Sequence, residues 1–369
     1  MKVMLCLPDF SALGVQRVVA TLANAWPRER ARLLLCVHHK RGALLDTLPP
    51  AVEVVELGLD VPKLRVLLRP LLHARAIAAH RPDVVVSFVP GDNLSLLSLP
   101  RRRFALAVSE HTFVSAQIGD YPLRFRAPYR ALFPRLYPRA DAIVCVAEEA
   151  REDLVTRWRM PREKTVVIHN PIDLLAVREG ARAEASVPLP GPVVIAVGRL
   201  SKEKRIDRLL GAVALLQRRR PVSLLLVGDG PQRAALEQRA RALGVPAHFT
   251  GFEKNPWRYL ARADVYALSS DFEGFPCALA EALALGVPAV AVACPSGPRE
   301  LLQGGAAGLL VEERTEAALA QALDAALTDR AAAAARAQRG VAFAGTLGAG
   351  AVAARYVALC ERLSSGRPP

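Results

Sequence analysis

Short apolar runs recur along the whole chain, each too brief for a helix and most rich in β-branched residues. They fall at 3–7, 32–37, 52–57, 84–88, 104–108, 142–146 and 165–168, then at 193–197, 223–227, 248–250, 265–268, 289–292 and 308–311. Runs that are apolar throughout read as strands covered on both faces, which is the habit of parallel sheets. The stretches between them read as helices, and such alternation predicts doubly wound α/β architecture. A length of 369 residues exceeds what one core ordinarily fills, so two domains are expected, 1–175 and 186–346. Residues 176–191 read as a polar linker without periodicity, 317–342 and 347–363 as alanine-rich helices, and 364–369 as a frayed end.

Chemistry concentrates in 264–290. The strand at 265–268 ends in Ser-Ser-Asp, a turn carries Glu273, Gly274, Phe275 and Pro276, and a helix over 278–285 is stopped by Gly286 and Pro288. Glu273 is thereby placed at the carboxyl end of a parallel strand, where open α/β sheets bind ligands. Glu281 falls in the first turns of a helix whose start, near Cys277 and Ala278, offers unpaired N–H groups to a diphosphate. Carboxylates on either side of such an anion site suit sugar or ribose hydroxyls, although two glutamates alone equally describe a solvated turn and helix.

Other residues bear on the same reading. Arg199 and Lys204 follow the strand at 193–197, where two cations suit a diphosphate, whereas Lys202, Arg205 and Arg208 read as solvated. Gly14 precedes a helix over 15–25 and offers backbone to a phosphate. His111, in Ser109-Glu110-His111-Thr112, follows the strand at 104–108 and is the best placed of the seven histidines. His38, His39, His73, His80, His169 and His248 show no metal spacing, and no Asp-x-Asp stands at a strand end.

The segment Glu273-Gly-Phe-Pro-Cys-Ala-Leu-Ala-Glu281 resembles the Glu-x7-Glu signature of family 4 retaining glycosyltransferases. Companion segments match in order: Val197-Gly198-Arg199-Leu200 with Lys204, Leu226-Val227-Gly228-Asp229-Gly230-Pro231, and Thr250-Gly251-Phe252. The resemblance implies a GT-B fold, two Rossmann-like domains facing across a cleft. A last helix, about 347–369, would cross back to an acceptor-binding first domain, with residues 186–346 holding the nucleotide sugar. It implies that Glu273 holds donor-sugar hydroxyls, Glu281 the ribose, Arg199 and Lys204 the leaving diphosphate, and the backbone around Phe252 the base, with UDP expected. His111 would contact the transferred sugar. The two adjacent glycines usual before the first helix are here Leu13 and Gly14. Retention by front-face attack, with no metal and no cofactor, completes the expectation. Residues 293–300 are similar to enzymes of bacterial surface polysaccharide and lipid-linked oligosaccharide synthesis, which points to a hexose or N-acetylhexosamine donor and a lipid-linked or glycan acceptor. A nucleotide-sugar epimerase and a non-catalytic sugar-nucleotide-binding subunit are the alternatives.

Charge adds a partner. The chain carries a net +14, and residues 1–140 hold 20 Lys and Arg against 10 Asp and Glu. Arginines lie among leucines at 62–81, which reads rather as an amphipathic helix packed on its own sheet with a solvated basic face, and among aromatics at 121–139, which reads as a helix facing an anionic membrane surface or lipid acceptor. An aromatic fraction of 5% and the lack of a recognised module argue against nucleic acid. Six cysteines without a Cys-x-x-Cys pair suit a reducing compartment. No apolar run approaches the ~20 residues of a membrane span. With 1–8 too short for a signal-peptide core, the expected location is cytoplasmic, peripheral at the inner face of the membrane.

Overall fold

The computed structural model describes residues 1–11, 14–58, 65–100, 102–120, 123–185 and 190–366. Leu13, the opening of 62–81, Tyr121 at the head of 121–139 and the last three residues of the expected frayed end lie outside them. The chain divides into two compact units, Met1–Pro171 with Leu347–Pro369, and Ile172–Thr346.

The first unit holds strands β1 (Lys2–Leu7), β2 (Arg32–Val37), β3 (Glu53–Glu56), β4 (Val84–Ser87), β5 (Ala105–Glu110), β6 (Ala142–Cys145) and β7 (Thr165–Val167). Its helices are α1 (Gly14–Asn24), α2 (Arg65–His80), α3 (Pro90–Leu97), α4 (Val114–Asp120), α5 (Leu123–Leu136) and α6 (Glu148–Thr156). The second unit opens with α7 (Leu174–Ala181) and holds β8 (Val193–Val197), β9 (Ser223–Val227), β10 (Ala247–Gly251), β11 (Val265–Leu268), β12 (Ala289–Val292) and β13 (Leu309–Val311). Between and after these strands run α8 (Ile206–Gln217), α9 (Arg233–Leu243), α10 (Trp257–Leu260), α11 (Cys277–Ala284), α12 (Pro298–Leu301), α13 (Glu316–Thr328) and α14 (Arg330–Gly345). The chain ends on α15 (Ala349–Ser365), which packs in the first unit, where Arg355 donates to the Val167 carbonyl at 2.6 Å.

Both sheets are parallel, in the orders β3-β2-β1-β4-β5-β6-β7 and β10-β9-β8-β11-β12-β13. Each is a Rossmann-like sheet whose direction of winding reverses beside its first strand. The switch points are therefore β1/β4 and β8/β11, and ligands of such sheets bind at the carboxyl ends there. Strand burial explains why the runs were legible: Val84–Ser87, Val265–Leu268 and Ala289–Val292 are buried at every position.

Three expectations are corrected. Within 176–191 the chain is helical as far as Ala181, because the Asp173 carboxylate caps α7 by accepting from the Ala176 N–H at 3.0 Å. The stretch 317–342 is two helices, broken at Asp329, whose side chain caps α14. The described aromatic side chains of 121–139 do not form an outward face. Tyr129, Phe133 and Tyr137 are buried, with Phe133 and Tyr137 stacked at 3.8 Å between centroids, because burying aromatic rings against the sheet outweighs anything they gain in solvent. Arg130, Leu132 and Arg135 remain exposed on α5.

Candidate active site

The site is built from three loops of the second unit, tied backbone to backbone at the carboxyl edge of its sheet. The Gly198 N–H donates to the Val227 carbonyl, the Leu200 N–H to the Asp229 carbonyl and the Gly228 N–H to the Gly251 carbonyl, each at 2.9 Å. Gly228 has φ +139°, and a Cβ there would sit 1.9 Å from the Gly198 carbonyl oxygen, so only glycine allows this approach. The sequence motifs at 197–200, 226–231 and 250–252 are thus one surface.

From β8 the chain passes through a 3₁₀ turn, Lys202–Lys204, into α8, with Arg205 in the left-handed region at φ 48°. This turn carries Lys204 to Glu273. Lys204 Nζ donates to Glu273 Oε1 at 2.7 Å and Oε2 at 2.8 Å, and Ser270 Oγ donates to Oε1 at 2.6 Å. The Glu273 side chain is 7% exposed and that of Lys204 27%. Burial works to lower the Lys204 pKa, but the charge and hydrogen bonds of Glu273 outweigh it, and the ammonium is held above its ordinary range. The expected diphosphate cation and sugar-binding carboxylate are therefore partners of each other. Two of the three ammonium protons are used, and the carboxylate keeps lone pairs for further donors.

The turn around Glu273 is braced on both sides. Its N–H donates to the Pro295 carbonyl at 3.1 Å, Ser296 Oγ donates to the Gly274 carbonyl at 2.6 Å, and a Cβ on Gly297 would lie 2.5 Å from Pro276 Cδ. Across the strand end, Ser269 Oγ donates to the Lys204 carbonyl at 2.8 Å, and the Asp271 N–H to the Glu203 carbonyl at 2.8 Å. Arg208, expected in solvent, is 5% exposed. Its guanidinium donates to the Ser269 carbonyl at 2.8 Å and to Asp271 at 2.7 Å, because a buried guanidinium persists only where carbonyl and carboxylate acceptors meet it.

Phe275 is buried, so it offers a ligand only its backbone, whereas Gly274, Cys277 and Ala278 are half-buried. Pro276 precedes α11, no side chain caps that helix, and Glu281 lies one turn in, buried. Burial first, then the charges of Glu273 and Glu281, push the Tyr266 hydroxyl well above its usual range. Arg199 is exposed, and its guanidinium pairs with no carboxylate among the described residues. Phe252 is 56% exposed just past β10, beside Gly251 at φ +79°.

Two expected residues belong to the first unit. Gly14 opens α1, and a Cβ there meets nothing within 4 Å. His111 directly follows β5, with Nε2 at 3.0 Å from Ser109 Oγ and its ring 5.6 Å from that of Phe88. Burial lowers its pKa to about 4 against a smaller pull from Asn170, so the imidazole is neutral at pH 7. Ser270 and Arg208 escaped sequence reasoning. The Ser-Ser-Asp that closes β11 was the available signal for Ser270, while nothing linear distinguishes Arg208 from the arginines around it.

Two Rossmann-like units, the second with a lysine–glutamate ion pair beside a helix start at its switch point, make up the described chain. Residues 13–174 match Glycosyltransferase Family 4 and residues 177–341 match Glycosyl transferases group 1. The chain belongs to the family 4 glycosyltransferases of GT-B fold. It is 33% identical over 200 residues to an N-acetylgalactosaminyltransferase of Campylobacter jejuni acting on N-acetylgalactosamine-N,N'-diacetylbacillosaminyl-diphospho-undecaprenol, a match spanning 54% of either chain. It is 27% identical to a lipopolysaccharide core biosynthesis glycosyltransferase of Rhizobium meliloti over 86% of either chain. In fold it is similar to Anabaena HepE, crystallised with UDP and glucose, at TM-score 0.77 and 21% identity, covering 99% of this chain and 100% of that one.

Proposed function

We propose that this glycosyltransferase moves a hexose or N-acetylhexosamine from a nucleoside-diphosphate sugar, with UDP as the nucleotide, to a lipid-linked or polysaccharide acceptor, retaining anomeric configuration. The observation that carries the reading is the Lys204–Glu273 pair at the β8/β11 switch point, next to the uncapped start of α11. The third ammonium proton of Lys204, the exposed Arg199 and the N–H groups near Cys277 and Ala278 are cationic or donor groups for the diphosphate. Glu273 accepts from hydroxyls of the donor sugar, with Gly274 and Pro276 shaping the loop. Glu281 accepts from the ribose, and the backbone at Phe252 meets the base. UDP in the Anabaena structure and the diphospho-undecaprenol acceptor of the Campylobacter enzyme support the choice of nucleotide and acceptor class.

In the reaction the bond from the anomeric carbon to the diphosphate oxygen breaks as positive charge builds on the sugar. The acceptor hydroxyl attacks the same face, a new glycosidic C–O bond forms, and its proton passes to the departing phosphate oxygen, giving a nucleoside diphosphate and a glycoside. Lys204 and Arg199 stabilise that leaving charge, the task a metal performs in other transferases. A neutral His111 serves as a hydrogen-bond partner of the transferred sugar, and Gly14 lets backbone approach the reacting groups. Excess Mg²⁺ or Mn²⁺ should leave kcat within about twofold, whereas strict dependence on either would contradict electrostatic stabilisation by side chains alone.

An anionic membrane surface is the proposed setting for the acceptor. Leu68 and Leu71 on α2 are 38% and 67% exposed, and Leu132 on α5 is 45% exposed, near the exposed Arg75, Arg130 and Arg135 of the same helices. No helix among the described residues is long and apolar enough to cross a membrane. Sedimentation with phosphatidylglycerol vesicles should carry the protein down at low salt and release it at high salt, and equal recovery with neutral vesicles would remove the membrane from the account. The first assay is melting temperature across nucleoside diphosphates and their sugars, since a ligand bound only by the folded chain raises it. UDP and one UDP-sugar should stabilise. A response to GDP or ADP alone would replace the nucleotide, and silence from all of them would contradict the donor site.

A further inference from the structure

We propose that the first unit carries a binding site for a divalent transition-metal ion, formed by His38, His73 and Asp92. One ligand atom from each lies within 4.8 Å of the others. The three come from separate elements: His38 directly follows β2, His73 lies on α2, and Asp92 stands in the first turn of α3, which follows β4. They therefore gather at the carboxyl ends of the strands that flank β1, the switch point of the first sheet, where such folds place ligands. The His38 N–H donates to the Pro8 carbonyl at 2.9 Å, which ties the loop after β2 to the loop after β1.

The ligand chemistry is specific. Asp92 is fully buried, and its Oδ1 receives both His38 Nε2 at 2.7 Å and the Arg69 guanidinium at 3.4 Å, while Oδ2 takes no hydrogen bond. A buried carboxylate oxygen left unsatisfied is costly, and a cation is the group that resolves it. His73 is 1% exposed and meets Ser95 Oγ through Nδ1 at 3.0 Å, which leaves Nε2 as its ligand nitrogen and gives the ring the outer hydrogen bond usual for a metal-bound imidazole. Two imidazole nitrogens and one carboxylate oxygen suit Zn²⁺ with a fourth position open, and tetrahedral bonding needs ligand atoms about 3.3 Å apart. A bound cation would replace the 2.7 Å His38–Asp92 hydrogen bond, those two ligand atoms moving apart to receive it. Arg69 is the competitor, since its guanidinium neutralises Asp92 when no cation is bound.

The test uses the full-length chain, stripped with chelator and reloaded with zinc chloride, then with cobalt chloride for its visible absorption. Roughly one Zn²⁺ per chain should be retained through gel filtration, with Co²⁺ giving the intense bands of a four-coordinate site. Asp92→Asn and His38→Ala should each weaken Zn²⁺ by about 30-fold or more. Because His38→Ala takes a hydrogen bond from the buried Asp92 and lowers the metal-free melting temperature, binding is titrated well below that temperature, which reads it apart from folding. Arg69→Gln should tighten Zn²⁺ severalfold by removing the competing charge. Less than about a fifth of an equivalent retained by the parent chain, undiminished binding in His38→Ala, or weaker binding in Arg69→Gln would each overturn the site.

Discussion

Lys204 and Glu273, 69 residues apart in the chain, meet through two hydrogen bonds of 2.7 and 2.8 Å at the switch point of the second sheet. The carboxylate is nearly buried and the ammonium mostly so, so neither can be removed without leaving the other uncompensated. Lys204→Ala should cost about 2–3 kcal/mol in chemical denaturation and weaken UDP at least tenfold in calorimetric titration. The Lys204 pKa is raised on folding, so this contribution is fully present below about pH 10.5, the unfolded value, and is lost only as pH rises through the higher folded value. An Ala variant with parent stability and parent UDP affinity would separate the pair from both roles.

Two glycines divide fold from function. Gly228→Ala places a methyl 1.9 Å from the Gly198 carbonyl oxygen at a φ of +139°, and should destabilise by roughly 2 kcal/mol or more in the same measurement. Gly14→Ala meets open space at the head of α1 and should leave stability within about 0.5 kcal/mol while lowering transfer. Unchanged transfer by Gly14→Ala would show that backbone approach there is not used.

The inner strands of both sheets were legible because they are buried on both faces, so each became a short apolar run, whereas the edge strands β3 and β10 carry the exposed Glu56 and His248. The loops bearing Glu273, Gly198 and Gly228 were legible for a related reason: close backbone contact at a strand end admits few residue types. What the sequence hid was side-chain direction. Arg208 looks like its exposed neighbours until the Ser269 carbonyl and Asp271 are seen around it. Tyr129 and Phe133 alternate with arginines in the same way whether they face lipid or core, and packing on the first unit decides for the core. His38, His73 and Asp92 share no spacing because three elements deliver them.

Glu110 offers a pH prediction in the first unit. Its carboxyl is fully buried on β5, accepting from Tyr137 and, at 2.9 Å, from Asn93 Nδ2. Burial raises its pKa to about 7 against the opposing pull of those hydrogen bonds. A carboxyl raised on folding contributes stability fully present below its unfolded value near 4.5 and lost as pH rises through about 7. The parent should therefore be less stable at pH 8 than at pH 5.5 by up to about 2 kcal/mol, a difference that Glu110→Gln largely abolishes. Identical pH dependence in the two proteins would show that Glu110 is not the group titrating.

The most direct test of the account is Glu273→Gln, measured for transfer with the UDP-sugar that stabilises the parent and for UDP affinity by calorimetry. The amide keeps the shape of the side chain and the Ser270 hydrogen bond but removes the charge paired with Lys204. In Glu273→Gln kcat should fall about 100-fold or more, with UDP affinity changed by less than about tenfold. Parent-like turnover would contradict the central claim that Glu273 holds the donor sugar during transfer.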